Sequence, residues 1–101
     1  NAKVDLTSTD VTTLYTAPAA TTAVFKSLLV ADDSGSTSTI TVTITDSASA
    51  VFVVYNVKAT VANATVELLT QPLVIQESEV LKVTAANANR LHVIGSYLEI
   101  T

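Results

Sequence analysis

Cysteine, methionine and tryptophan are absent from this chain of 101 residues, and glycine and proline occur only twice each. Without cysteine there is no disulfide framework, no thiolate nucleophile and no sulfur ligand for zinc. Charge is sparse as well. Five Lys and Arg stand against nine Asp and Glu, for a net charge of −4 and a pI near 4.6. Lys3, Lys26, Lys58, Lys82 and Arg90 are scattered along the chain. Tracking a phosphate backbone takes clustered Lys and Arg, so nucleic acid is not an expected partner. The longest apolar run, Ala50–Tyr55, is far short of the roughly 20 residues that cross a bilayer, so no membrane is expected either. Asn1–Thr7 lacks the apolar region of a signal peptide. With glycine so scarce, Asn, Asp, Ser and Ala must supply the turns.

What remains is Val, Thr and Ala, with apolar residues making up 49% of the chain. That is enough for one core, and a chain of this length is one domain, residues 1–101. The β-branched bias favours strands. The clearest signal is Thr37–Lys58. Ile40, Val42 and Ile44 alternate with Thr39, Thr41, Thr43 and Thr45, the period of a strand with one wet and one dry face. Ser47–Ala50 links it to a second run, with Val51, Val53, Tyr55 and Val57 on one face, and the two read as an antiparallel hairpin.

Along the chain, Val4–Thr7 is a short strand. Val11–Thr16 is another, with Leu14 on the side opposite Val11, Thr13 and Tyr15. Pro18 marks a turn. Ala23–Ala31 is almost continuously apolar and reads as a strand packed on both faces, followed by a turn at Asp32–Ser36. Asn63 is a turn, Thr65–Thr70 a strand, Pro72 a break and Leu73–Gln76 a short strand. Val80–Ala86 alternates between turns at Glu77–Glu79 and Asn87–Arg90. In Leu91–Thr101, Leu91, Val93, Gly95 and Tyr97 share one face and Ile94, Leu98 and Ile100 the other. Gly95 inside that run predicts a bulge or a close backbone approach. About eight strands at this spacing predict an all-β, antiparallel β-sandwich, jelly-roll or immunoglobulin-like.

Few residues offer chemistry. His92 is the only histidine and lies mid-strand, where it reads as a surface residue with no base or nucleophile placed beside it. Asp32, Asp33, Ser34 and Ser36 carry oxygens of the kind that bind Ca²⁺. They lack the spacing and terminal Glu of an EF-hand loop, and read as a turn. Glu77 and Glu79 form a carboxylate pair, but in a polar turn that leaves neither desolvated. Asn63-Ala64-Thr65 matches a glycosylation acceptor, a short pattern that sets no expectation here. Lys26 and Lys58 read either as charges that discourage edge pairing or as partners in an ion pair across an interface. No catalytic residue, cofactor site or metal site is expected, and the chain is expected not to be an enzyme.

Two segments carry a resemblance. One runs from Leu14-Tyr15-Thr16-Ala17-Pro18 through Ala23–Ala31 and Ser34-Gly35-Ser36 to Thr41–Asp46. The other comprises Glu67-Leu68-Leu69, Pro72–Ile75, Val80–Ala85 and Ser96–Ile100. Together they resemble the small β-sandwich virion structural proteins of tailed bacteriophages, found as capsid decoration (cement) proteins and as tail or fibre accessories. Ala19-Ala20 and Asn63-Ala64 stand where such proteins often place glycine. The resemblance implies a non-enzymatic virion protein, assembled in the host cytoplasm. It would bind the major capsid protein and act as a homo-oligomer, dimer or trimer. The alternative it implies is a tail, baseplate or fibre module that contacts the host surface. A glycan contact would call for exposed aromatics, and Tyr15, Tyr55, Tyr97, Phe25 and Phe52 all lie in strand-like runs.

Overall fold

Nine strands and no helix make up the computed structural model, which describes residues 1–101. They are β1 (Ala2–Leu6), β2 (Thr12–Thr16), β3 (Thr22–Asp32), β4 (Thr39–Thr45), β5 (Val51–Ala59), β6 (Thr65–Glu67), β7 (Leu73–Ile75), β8 (Val80–Ala85) and β9 (Leu91–Ile100). One sheet has the order β1-β9-β3-β6, with β7 also on β3, and the other β2-β8-β4-β5. All pairs are antiparallel. The two sheets close on a common core to form a sandwich of 41 × 23 × 19 Å.

The pairing decides between the two expected topologies. β1 pairs β9, β2 pairs β8, β3 pairs β6 and β7, and β4 pairs β5. The second half of the chain thus retraces the first, as in one long hairpin whose tip is Asp46–Ala50. Successive pairs fall in opposite sheets, which is the rolled hairpin of a jelly roll. An immunoglobulin-like order would seat the first two strands side by side in one sheet, and β1 and β2 lie in different sheets. β6 and β7 occupy two stretches of the same edge of β3. They are one strand position broken at Leu68–Pro72, where Pro72 has no N–H to give a ladder. Eight positions therefore appear as nine segments.

Bulges overturn three of the expected faces. Between Thr13 and Tyr15 the β2–β8 register shifts, so Leu14 and Tyr15 both point inward instead of to opposite sides. Along β3 the shift falls between Phe25 and Ser27, and Phe25 and Leu28 both reach the core. Glu67 holds that irregularity, accepting hydrogen bonds from Ser27 Oγ at 2.6 Å and Leu28 N at 3.1 Å. Nor is β3 packed on both faces. Ala23, Phe25, Leu28 and Val30 are buried, while Val24 and Leu29 lie on the outer face, where no further layer covers them. In β5 two shifts break the expected single face. Tyr55 lies opposite the buried Val42, and Val53 opposite Thr43 on the outer face.

Two expectations hold in detail. β9 turns Leu91, Val93 and Gly95 inward and leaves Ile94, Leu98 and Ile100 outside. Gly95 is a close approach: a Cβ there would stand 2.6 Å from Phe25 Cε2 and 3.0 Å from Cδ2. The Phe25 ring is held between Tyr15, at 5.3 Å between centroids, and Tyr97, at 4.9 Å. Residues other than glycine do take the left-handed turn positions, namely Ala20, Ser49, Asn63, Ser78 and Asn89, with Gly35 in the six-residue loop after β3.

Val57 is the outlier, with a φ of 50° at the second β5 irregularity. A β-branched residue pays heavily in this region, and Val57 is exposed, so its side chain returns little by packing. Val57→Asn is expected to stabilise the protein by about 1 kcal/mol and raise Tm by about 4–8 °C. A Tm that stays level or falls in a thermal melt would show that this backbone is not a cost.

Candidate functional site

The one depression in the surface has a volume of about 290 Å³ and lies on the outer face of β1 and β9. Lys3, Asp5, His92 and Ile94 line it, with the backbone neighbours Val4 and Val93. Register places His92 opposite Asp5. His92 Nε2 is 3.3 Å from Asp5 Oδ1, and its Nδ1 is 4.0 Å from Asp33 Oδ2. All three side chains are roughly half exposed or more, and no Ser, Thr or Tyr hydroxyl is hydrogen-bonded to the imidazole. This is a solvated histidine–carboxylate contact on a strand, and exposed pairs of this kind contribute at most about 1 kcal/mol.

Asp32 does not sit in a solvated turn. It closes β3 and is 2% exposed. Its Oδ1 accepts from Ser34 N at 3.1 Å and Ser34 Oγ at 2.8 Å, and its Oδ2 faces Thr60 Oγ1 at 3.2 Å. Thr60 in turn receives Ser38 N at 3.0 Å, and Ser38 Oγ donates to Asn87 Oδ1 at 3.1 Å. Arg90 Nη1 donates to Thr37 O at 2.6 Å and adds positive charge nearby. These contacts tie three loops together at one end of the sandwich. Burial pushes the Asp32 carboxyl up, but the hydrogen bonds from Ser34 and Thr60 and the charge of Arg90 outweigh it and hold the pKa below the ordinary value. A depressed carboxyl stabilises the fold above its unfolded pKa, and that stability is lost as pH falls through the lower folded value. Asp32→Asn is therefore expected to lower Tm at pH 6 and to flatten its fall between pH 5 and pH 2. Parallel wild-type and variant curves over that range would contradict the assignment.

The remaining candidates are structural or isolated. Glu79 Oε1 accepts from Gln76 N at 2.7 Å and closes the β7–β8 turn, while Glu77 points to solvent. Asn63 takes the left-handed turn position before β6. No carboxylate lies within 4.0 Å of Lys26 or Lys58. Lys58 is on the free edge strand β5, as the gatekeeper reading expects. Lys26 is on the central strand β3, at its bulge, so it guards no edge. Among the aromatics, Tyr15 and Phe25 are buried. Tyr15 Oη donates to Glu99 Oε2 at 2.6 Å, bridging β2 to β9. Burial, together with the Glu99 contact, raises the Tyr15 pKa well above the ordinary phenol value. Tyr55 Oη donates to the Leu68 carbonyl. Phe52 alone stands out, 58% exposed.

Phe52 belongs to the feature that sequence reasoning missed. β5 is the free edge of its sheet, and Val51, Phe52 and Val53 are 61, 58 and 58% exposed. This is an uncharged apolar edge with its backbone open on one side, which in a native protein marks a contact surface. Its strand character was readable; its exposure follows from β5 standing at the edge of its sheet, which no local pattern shows. A second apolar surface lies on the outer face of the opposite sheet. Val74, Val24 and Leu98 stand side by side across β7, β3 and β9, and Ile100 follows on β9. Val74, Leu98 and Ile100 are exposed. The outer face of the β5 sheet carries the hydroxyls of Thr39, Thr41, Thr43 and Thr45, all half-buried. Thr41 Oγ1 accepts from Val57 N at 3.1 Å, while the buried Thr45 Oγ1 has no partner within the chain.

No protein-family model, curated protein or solved structure matches the chain.

Proposed function

We propose that this is a non-enzymatic structural protein of a tailed-bacteriophage virion, a capsid decoration protein. It would bind the outer shell and stabilise it by bridging major capsid protein subunits. The observation that carries the reading is the pair of exposed apolar surfaces, the Val51–Val53 edge and the Val74–Val24–Leu98 row, on opposite sheets of one small sandwich. A molecule with two sticky sides can bridge, and each bridge raises the cost of opening the shell by mass action. Several ionisable groups are absorbed in the fold: Asp32 ties loops, Glu67 holds a bulge and Glu99 receives Tyr15. The jelly-roll order supports the reading as an architecture common in capsid proteins, and by itself assigns nothing. The absence of oxidisable Cys and Met suits a long-lived particle component.

The test mixes purified protein with expanded capsids that lack it, then pellets them and counts bound copies. Saturation at a fixed ratio to the major capsid protein, weakened by Leu98→Lys, is the expected result. Copies found only in the tail fraction of intact virions would overturn it. That outcome would favour the second reading, a tail or fibre module. The exposed ring of Phe52, a platform on which a host sugar can stack, is the observation on its side.

A further inference from the structure

We infer that two copies of this chain pair through β5, edge to edge across a two-fold axis at Phe52, joining their four-stranded sheets into one of eight. This rests on the homo-oligomer part of the proposed function and not on where in a virion the protein sits; with the β5 edge inside the pair, the two Val74–Val24–Leu98 rows, one from each copy, are left to bridge.

The hairpin fixes which backbone groups are free. Asp46 N donates to Ala50 O at 2.9 Å, which makes that closing pair a hydrogen-bonded one. Antiparallel pairs alternate. Thr45 and Val51 are then a non-bonded pair, Ile44 and Phe52 a bonded one, and Thr43 and Val53 non-bonded. The N–H and C=O of Val51 and Val53 therefore point away from β4, to the open edge. A second copy placed antiparallel, with Phe52 opposite Phe52, sets Val51 against Val53 and Val53 against Val51. Those are the residues whose groups are free, so each pair exchanges two hydrogen bonds and none of the four donors is misplaced. Same-face residues are matched, as an antiparallel register requires. The two Phe52 side chains meet at a non-bonded pair, where Cα atoms are about 4.5 Å apart and side chains approach most closely.

Size and charge point the same way. Val51, Phe52, Val53 and Val57 are each close to 60% exposed and leave on the order of 400 Å² of surface per copy. With the backbone edges, a pair buries about 1,000 Å², the lower limit for a specific interface. No charge stands between Ser47 and Val57 to oppose its own image. The antiparallel direction carries Lys58 of each copy toward the Asp46 turn of the other, opposite in sign. The irregularities after Val53 and the left-handed Val57 end the flat part of the edge, which limits the assembly to a closed pair.

The absence of cysteine makes the test clean. Phe52→Cys places two thiols across the axis at a spacing within disulfide range. Mild oxidation is expected to convert this variant to a covalent dimer, while Leu98→Cys, on the other sheet, stays uncrosslinked at the same concentration. Val53→Pro removes only an N–H that faces the open edge, which a monomer tolerates. With the circular dichroism spectrum unchanged, it is expected to weaken the wild-type dimer at least tenfold in sedimentation equilibrium. Phe52→Lys, which keeps every backbone donor, is expected to do the same. A wild-type chain that stays monomeric at 100-fold above micromolar concentration would overturn the inference, leaving shell binding open. A dimer that survives both variants, without crosslinking at position 52, would overturn it too.

Discussion

Phe25→Ala is expected to cost about 4 kcal/mol and to lower Tm by about 15–30 °C. Phe25 is fully buried and contacts both sheets, with Tyr15 edge-on from β2 and Tyr97 stacked from β9. Removing the ring forfeits its transfer energy, leaves a cavity that rigid strands cannot collapse into, and unseats both tyrosines. The Tyr15–Glu99 bridge between the sheets then loses its backing. Against a total stability of about 5–15 kcal/mol, this is enough to bring a marginal chain near unfolding at 37 °C. The other phenylalanine is the control. Phe52→Ala removes the same atoms from an exposed edge and is expected to change monomer stability by less than about 0.5 kcal/mol. Urea melts of the two variants at low protein concentration check both values. Equal losses would mean that the core is not organised around Phe25.

Gly95→Ala is the second large effect, and it comes from one added methyl group. That methyl would lie 2.6 Å from Phe25 Cε2, inside van der Waals contact. The ring cannot swing aside, because the tyrosines hold it on two sides and Leu28 Cδ1 stands 3.6 Å from the same methyl. Strain or a backbone shift of β9 against β3 is expected to cost about 2–3 kcal/mol. The cause can be isolated. Phe25→Leu removes the ring edge, so in the double variant the methyl has room, and the two losses are expected to fall short of additivity by about 1–2 kcal/mol. Additive losses would place the cost in the β9 backbone and not in the ring. Gly35→Ala offers a contrast, since space there is open and only its φ of 80° resists a side chain.

Gly95 shows what could be read from the sequence. A lone glycine in an alternating run marks a position where a side chain does not fit, and the faces of β9 followed from period 2 alone. The Thr39–Thr45 face and the hairpin were legible for the same reason. The faces of β2, β3 and β5 were not, because a bulge is a mismatch between strands distant in sequence, and no local pattern marks Leu14, Lys26 or Val54 as its place. Strand order was unreadable until the pairing of β1 with β9 and β2 with β8 fixed the jelly roll. The candidate site suffered most. Phe52 and Val53 look like core residues in a list of letters. They are exposed because β5 is the edge of its sheet and they lie next to the hairpin tip. Asp32 erred the other way, a turn residue by composition and a buried anchor in the fold.

We propose that apolar surfaces, and not the polar depression at His92, are where this protein meets others. Hydroxyl-radical footprinting of the protein, free at low concentration and bound to capsids, tests it most directly. Oxidation of Phe52, and of Leu98 and Ile100, is predicted to fall severalfold on binding, while His92 stays as reactive as before. Protection of His92 with Phe52 and Leu98 unchanged would instead place the contact at the β1–β9 depression and overturn this proposal.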